Sequence, residues 1–451
     1  MHRYSEGTSF RVALTQLRER ALNKEKVLAT YRNVFSLEAG CKRLESILRD
    51  FHIHIYMKIA ALHTDFRIYW PARLQALNKV LKERGDELTV IEIAGKGSPY
   101  AFANQKEIQD YWIVLFPEDS PERLSPSQIK KELFRVLGEL EPDIILAGAT
   151  AFPSGALAVQ WGLSKGIRVV TFDDAKHEVV QRNRIVEFIK KAVYKGVDAM
   201  IYPAPDWQAT GLYWGFQEPQ MFYGLDVVDN AYWSKPVEKS FPIENYFVAV
   251  GRQIEKKNYF SIAKAYTKYR HEIGEAAYDL VLIGDGPEHE RIKRFVVESN
   301  LRNHIHLLPF LSQEKLPEMY QYAKGLICCS NSSETWGLVI NEAMACGCPV
   351  IASIQCGATN TLVKEGVNGF CFSCEDINRL VLLMTKLHRQ DDEKQLAMRE
   401  ASKRIIANWD LSRFTKACVD AIDYVVKHPK RKTNWLDKII IRIWKGRYRP
   451  V

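Results

Sequence analysis

The stretch YFVAVGRQIEKKN (246–258) ends an apolar run on Gly251 and sets Arg252 and Lys257 just beyond it. DLVLIGDGPEHERI (279–292) repeats the design, closing its run on Gly284 with a tight Gly-Asp-Gly-Pro turn. A helix-length amphipathic segment separates the two. Short apolar runs that stop at glycine and alternate with such segments describe parallel strands buried on both faces. The series continues through HIHLL (304–308), GLICC (325–329) and PVIAS (349–353). Upstream a first series reads YMKIAA (56–61), LTVIEI (88–93), DIILAG (143–148), RVVTF (168–172) and an AMIY run centred on Met200 and Ile201. Between its first two runs PARLQALNKVLKERG (71–85) carries Leu74, Leu77, Val80 and Leu81 at helical spacing.

Two such series predict an α/β chain with two doubly wound, Rossmann-like parallel-sheet domains facing a central cleft. The expected junction lies near Asn230–Pro242. The predicted division is a helical extension over 1–56, a first domain over 57–235, a second over 236–410 and a C-terminal helix with a basic tail over 411–451. Ligands of such sheets bind beyond the carboxyl ends of the strands, so the cleft is the natural site.

Composition narrows the class. With 47% apolar and 26% charged residues the chain of 451 has an ordinary globular balance, which excludes a disordered, collagenous or coiled-coil protein. The longest apolar runs, such as Ile439–Ile441, fall far short of the ~20 residues that span a bilayer. The start, MHRYSEGTSFRVALTQLRER, has no apolar core of a signal peptide, so a cytoplasmic location is expected. Nine cysteines, seven of them between Cys328 and Cys374, do not form the even, spread set of a secreted disulfide framework. Cys346-x-Cys348 and Cys371-x-x-Cys374 lie beside apolar residues and read as small buried hydrophobes, so no metal site is expected. The net charge is +9, yet the segment 425–451 alone holds five Lys, four Arg and one Asp. A nucleic-acid binder would carry its cations on a folded recognition element, so nucleic acid is not an expected partner.

The chemistry concentrates in SSETWGLVINEAMACGCPVIAS (332–353). A helix beginning near Gly337 presents unpaired N–H groups and a positive dipole end, a natural seat for phosphate. Glu342, inside that helix, suits ribose hydroxyls, and Glu334 on the preceding loop suits hydroxyls of a sugar. Arg252 offers a planar multidentate donor and Lys257 a point charge at the end of a neighbouring strand, a pairing that suits a diphosphate. With the glycine turn at 284–287 these segments read as a nucleotide-sugar pocket. Alone, each is weak.

Together they resemble the family 4 retaining glycosyltransferases of GT-B fold. The resemblance rests on Gly251-Arg252, Lys257-Asn258, Gly284-Asp285-Gly286-Pro287, Glu334, Gly337, Glu342-Ala343-Met344-Ala345, Gly347, Pro349-Val350 and Asn368-Gly369. It is strong over 246–372 and weaker but collinear over 57–245. It implies that Arg252 and Lys257 neutralise a departing nucleoside diphosphate, that Glu342 binds the ribose and that Glu334 binds the transferred sugar. It places Gly251, Gly284, Gly286 and the backbone of Thr335, Trp336, Gly337 and Leu338 around the donor. It puts His177 near the reacting centre. It further implies retention of anomeric configuration by front-face attack, with no cofactor and no required metal. A nucleoside-diphosphate sugar and a glycan or lipid-linked acceptor are the implied partners.

Three departures stand out. HTDFRIYWPAR (63–73) replaces the family's glycine-rich turn, and its His63, Asp65, Arg67, Tyr69 and Arg73 are expected on the acceptor side. Cys356-Gly357-Ala358-Thr359-Asn360-Thr361 lacks the acid of the family's Gly-Gly-x-x-Glu, and the usual Asn-Gly of the interdomain segment is Tyr223-Gly224.

The tail reads as an amphipathic helix over Trp435–Arg449, with Lys438, Arg442, Lys445 and Arg449 on one face. Leu436, Ile439, Ile440, Ile443 and Trp444 fall opposite. Trp435, Lys438, Ile439, Arg442, Ile443, Trp444 and Lys445 together suit an anionic membrane surface on the cytoplasmic side. The competing arrangement packs the apolar face on the first domain. Two other functions stay open: a sugar epimerase or phosphorylase of the same fold, and an inactive peripheral-membrane binding protein.

Overall fold

A computed structural model describes residues 56–96, 109–179, 182–331 and 334–446. The extension expected over 1–56 lies, except for Tyr56, outside the described residues, as does Arg449.

Two sheets form. The first holds β1 (Lys58–His63), β2 (Glu87–Ala94), β3 (Trp112–Phe116), β4 (Ile144–Ala147), β5 (Arg168–Phe172), β6 (Ala199–Tyr202) and β7 (Met221–Tyr223), in the order β3-β2-β1-β4-β5-β6-β7. The second holds β8 (Tyr246–Val250), β9 (Asp279–Ile283), β10 (Ile305–Leu308), β11 (Gly325–Cys328), β12 (Val350–Ser353) and β13 (Gly369–Phe372), in the order β10-β9-β8-β11-β12-β13. Every described strand pairing is parallel. Each sheet reverses direction once, between β1 and β4 and between β8 and β11. Those two switch points open the crevices in which doubly wound sheets bind ligands.

The ten strands expected from apolar runs are present, RVVTF with its expected bounds. Three more join them. WIVLF of β3 and the short β7 and β13 sit at the sheet edges.

The last helices cross back. The helix Leu411–Lys427 packs on the helix Trp70–Glu83 and on β6 and β7, and Trp435–Ile443 packs on the helices Pro153–Lys165 and Arg184–Tyr194. Residues 411–446, set apart in the predicted division, thus pack on the first domain. Between the two halves Trp336 lies against Trp207 (ring centroids 5.6 Å) and Trp409 (6.5 Å), so the buried core runs through the domain interface.

Candidate active site

The second switch point assembles the charged cluster. Gly251 follows β8, and the next residues form the loop that carries Arg252 and Lys257. Glycine is required nearby. A Cβ on Gly284 would stand 1.9 Å from the Gly251 carbonyl oxygen, and one on Gly286 2.5 Å from that of Gln253. The loops after β8 and β9 therefore touch backbone to backbone, tied by Gln253 N–H to the Asp285 carbonyl at 2.8 Å.

After β11 the chain reaches Glu334, whose Oε2 lies 2.5 Å from Lys257 Nζ. Both side chains are largely buried. Burial would lift the Glu334 carboxyl, but Lys257 and Lys256 outweigh it and hold it below the ordinary range. Burial would lower Lys257, but the Glu334 charge outweighs it and holds the ammonium above an ordinary lysine. The pair is fully ionised and fixed. Arg252 occupies the same loop and is half-buried.

Gly337 takes φ +96°, and a Cβ there would meet Cys356 Sγ at 2.5 Å. The sharp bend lets Thr335, Trp336, Gly337 and Leu338 lead straight into the helix Val339–Ala345, whose start has no side-chain cap. Trp336 is buried and donates from Nε1 to Asn341 Oδ1 at 2.9 Å. Gly357 packs its Cα against the Thr335 carbonyl, where a Cβ would come within 1.9 Å, so this glycine is needed even without the missing acid.

Glu342 is 3% exposed, and each of its oxygens accepts a tyrosine hydroxyl: Oε1 from Tyr69 and Oε2 from Tyr320, both at 2.6 Å. Burial pushes its carboxyl up to about 7. Thr335 donates from Oγ1 to Asp174 Oδ2 of the first domain at 2.7 Å, and burial raises the Asp174 carboxyl.

The first switch point is built differently. His63 ends β1, packs on Phe66 and Trp70 and meets Gly148 at the end of β4. Burial pushes its imidazole down to about 4, so it is neutral at physiological pH. Arg67 pairs with Asp65 at 3.3 Å and donates to the Gly95 carbonyl. Arg73 is buried and donates from Nε and Nη2 to the Val227 carbonyl, with Asp226 at 3.6 Å. Of the five residues expected on the acceptor side, Arg73 thus braces the interdomain connector, and Tyr69 crosses the cleft to Glu342. His177 stacks on Tyr213 (4.2 Å) and shares a 3.1 Å hydrogen bond between Nδ1 and Thr210 Oγ1.

Sequence reasoning passes over Tyr320, Asp174 and Trp207. The acidic pair in TFDD after β5 is the one local signal for Asp174. Tyr320 offers none, because only folding brings its helix against Val339–Ala345. Cys328 and Cys356, spaced unlike any metal motif, bring their thiols to 3.9 Å behind the cluster. Among the described residues no group of three or more His, Cys, Asp or Glu is placed to hold a metal ion.

Both crevices open toward one another across a cleft, the architecture of GT-B proteins. Residues 234–405, which contain the whole cluster of the second domain, match the family described as glycosyl transferases group 1. The chain is 28% identical over 184 residues to the poly(glycerol-phosphate) alpha-glucosyltransferase of Bacillus subtilis, covering 39% of this chain and 26% of that one. The chain therefore spans about a quarter of that relative's length. Among solved structures, sucrose-phosphate synthase from Thermosynechococcus elongatus superposes with a TM-score of 0.65 at 17% identity, over 82% of this chain and 99% of that one. Anabaena HepE, solved in complex with UDP, superposes with a TM-score of 0.64 at 17% identity, over 82% of this chain and 100% of that one.

Proposed function

We propose that the protein is a glycosyltransferase that moves a sugar from a nucleoside-diphosphate sugar to a glycan or lipid-linked acceptor, with retention of anomeric configuration. The ion pair of Lys257 with Glu334 carries the reading. It fixes a cation for the diphosphate and a carboxylate for the sugar at one point, beside the uncapped start of Val339–Ala345. HepE's complex with UDP and the Bacillus relative's glucosyl transfer support the donor class.

In this reaction the bond from the anomeric carbon to the diphosphate breaks, and the acceptor oxygen attacks the same face. The acceptor's proton passes to the departing phosphate oxygen. Negative charge grows on that diphosphate. Arg252, half-buried, and Lys257, largely buried, would meet that charge as fixed cations that act without reorganisation. Glu334 holds hydroxyls of the transferred sugar and Glu342 the ribose. Asp174, joined to Thr335, extends the polar wall from the first domain, and His177 follows three residues later, held by Thr210 and Tyr213. Neutralisation by fixed cations assigns no role to Mg²⁺, so turnover should survive EDTA.

Arg252→Ala should cost about 10²–10³ in turnover of the preferred donor. Near-normal turnover would remove Arg252 from the mechanism. A panel of UDP-, GDP- and ADP-sugars, read by release of nucleoside diphosphate, tests the class itself. An epimerase would return an isomer of the donor instead, and an inactive binding protein would release nothing.

The tail supports a membrane-facing acceptor. The helix Trp435–Ile443 docks on the first domain through Ile441 and through Asp437, which pairs with Lys195 at 2.9 Å. Trp444, expected on the open face, instead turns inward and donates from Nε1 to the Thr150 carbonyl at 2.8 Å. Docking consumes that face alone. Trp435 (73% exposed), Leu436, Ile439 and Ile443 (69%) remain outward with Lys438, Arg442 and Lys445. The adjoining helix Arg184–Tyr194 adds Ile185 and Phe188. Apolar side chains ringed by cations suit an anionic lipid surface at the cytoplasmic face. No helix among the described residues is long and apolar enough to cross a membrane.

A further inference from the structure

Glu342 is closed off by two tyrosines from different domains, and they are not equivalent. Tyr320 belongs to the helix Leu316–Gln321 of the second domain and is fully buried, so its bond to Oε2 stays with the carboxylate however the cleft moves. Tyr69 precedes the helix Trp70–Glu83 of the first domain. That helix is held within its own half by buried Arg73 on the Val227 carbonyl. The bond of Tyr69 to Oε1 therefore spans the cleft. With Tyr320 covering Oε2, Oε1 is the oxygen that faces the first domain.

We infer that Tyr69 is a donor-site residue: its hydroxyl stands on Glu342 Oε1 at the place a ribose hydroxyl of the donor takes on binding. The inference rests on the donor reading given above. A phenol and a ribose hydroxyl are the same kind of donor to a carboxylate, so each satisfies the buried oxygen in the other's absence. Binding then exchanges one charge-assisted hydrogen bond for another instead of adding one. Because the nucleotide must first unlatch the two domains, its affinity falls in proportion to the population of the latched state. Thr335 to Asp174, Asn341 Nδ2 to the Asp226 carbonyl (3.3 Å) and Thr361 Oγ1 to Asp206 Oδ2 (3.5 Å) are further polar bonds between the domains. None of them occupies Glu342. The bulky segment 63–73 thus has a function that a glycine-rich turn lacks: it supplies a side chain long enough to reach the opposite domain.

The test is Tyr69→Phe, which keeps the ring and removes the hydroxyl. Titration calorimetry with UDP, GDP and ADP should show the best-bound nucleotide tightened by about 10-fold, since a hydrogen bond to a charged group no longer competes. Small-angle scattering should show the empty variant more expanded than the parent, and equal to it with nucleotide bound. Tyr320→Phe removes a bond from the other oxygen and should tighten nothing. Equal or weaker binding by Tyr69→Phe, with the parent binding normally, overturns the inference alone. Tightening by Tyr320→Phe to the same degree also overturns it. Failure of every nucleotide to bind parent and variant alike overturns the donor reading and this inference with it.

Discussion

The loops at the two switch points occupy equivalent places in similar sheets and use their charges in opposite ways. At the second, Arg252, Lys257, Glu334 and Glu342 gather on loops made thin by glycine, where Gly284 and Gly286 let backbones touch. At the first, His63, Asp65, Arg67 and Arg73 are engaged with their own domain: tilted ring contacts, a local ion pair and carbonyls at Gly95 and Val227. Glycine makes room for a ligand, and bulky side chains fill that room with protein. A roster of polar residues near a crevice therefore does not separate binding from bracing. The partner of each does.

The comparison is most sharply broken by paired substitutions. Lys257→Met takes the main counter-charge from the buried Glu334 carboxylate and should destabilise by ~3–5 kcal/mol in urea melts, whereas Arg73→Met strips the Val227 carbonyl of its buried donors and should destabilise by ~1–3 kcal/mol. Only Lys257→Met should also abolish nucleotide binding in the fraction that remains folded. Loss of nucleotide binding in Arg73→Met would place the first crevice in the donor site as well.

A smaller effect distinguishes the two carboxylates of the second crevice by pH. Burial raises Glu342 from 4.5 to about 7, whereas Lys257 keeps Glu334 depressed despite burial. Between about pH 4.5 and 7 the folded chain holds a proton on Glu342 that the unfolded chain has released. Stability therefore falls as pH rises across that window, by on the order of 3 kcal/mol for this group. Asp226, also raised to about 7 by burial, adds in the same direction. Glu342→Gln should remove its own share of the slope in melts at pH 5 and pH 8. Donor affinity of the parent should change little across pH 7, because the ribose hydroxyl replaces the Tyr69 hydroxyl on the same oxygen in either ionisation state.

The smallest effect belongs to the surface. Ile439→Glu and Phe188→Glu lie on exposed positions and should shift stability by no more than about 0.5 kcal/mol. Each should weaken flotation with phosphatidylglycerol vesicles while leaving transfer to a soluble acceptor unchanged. Unaltered flotation would assign the open face to another partner.

Most of the second domain was legible because its signals are local. Fully buried strands read as apolar runs, and each residue proposed for the donor sits within a few positions of a strand end or a glycine turn. The edge strand β3 carries in WIVLF as plain an apolar run as RVVTF and was simply passed over, whereas β7 and β13 are only three and four residues long. Amphipathicity placed the start of the tail helix, but the helix ends at Ile443, short of the expected Trp444 and Lys445; Trp444 turned inward and Ile441, one position from the expected stripe, became the docking residue.

By itself the sequence determined two parallel-sheet domains, the glycine turns and the cation–carboxylate spacing of 251–342, since all of these follow from periodicity and short-range geometry. Only the tertiary structure decided that Tyr69 meets Glu342 across 273 positions, that Arg73 braces the connector and that 411–446 folds back on the first domain. Those outcomes depend on which surfaces become neighbours when two cores close on each other. A hydrogen bond between distant segments leaves no periodic trace in either one.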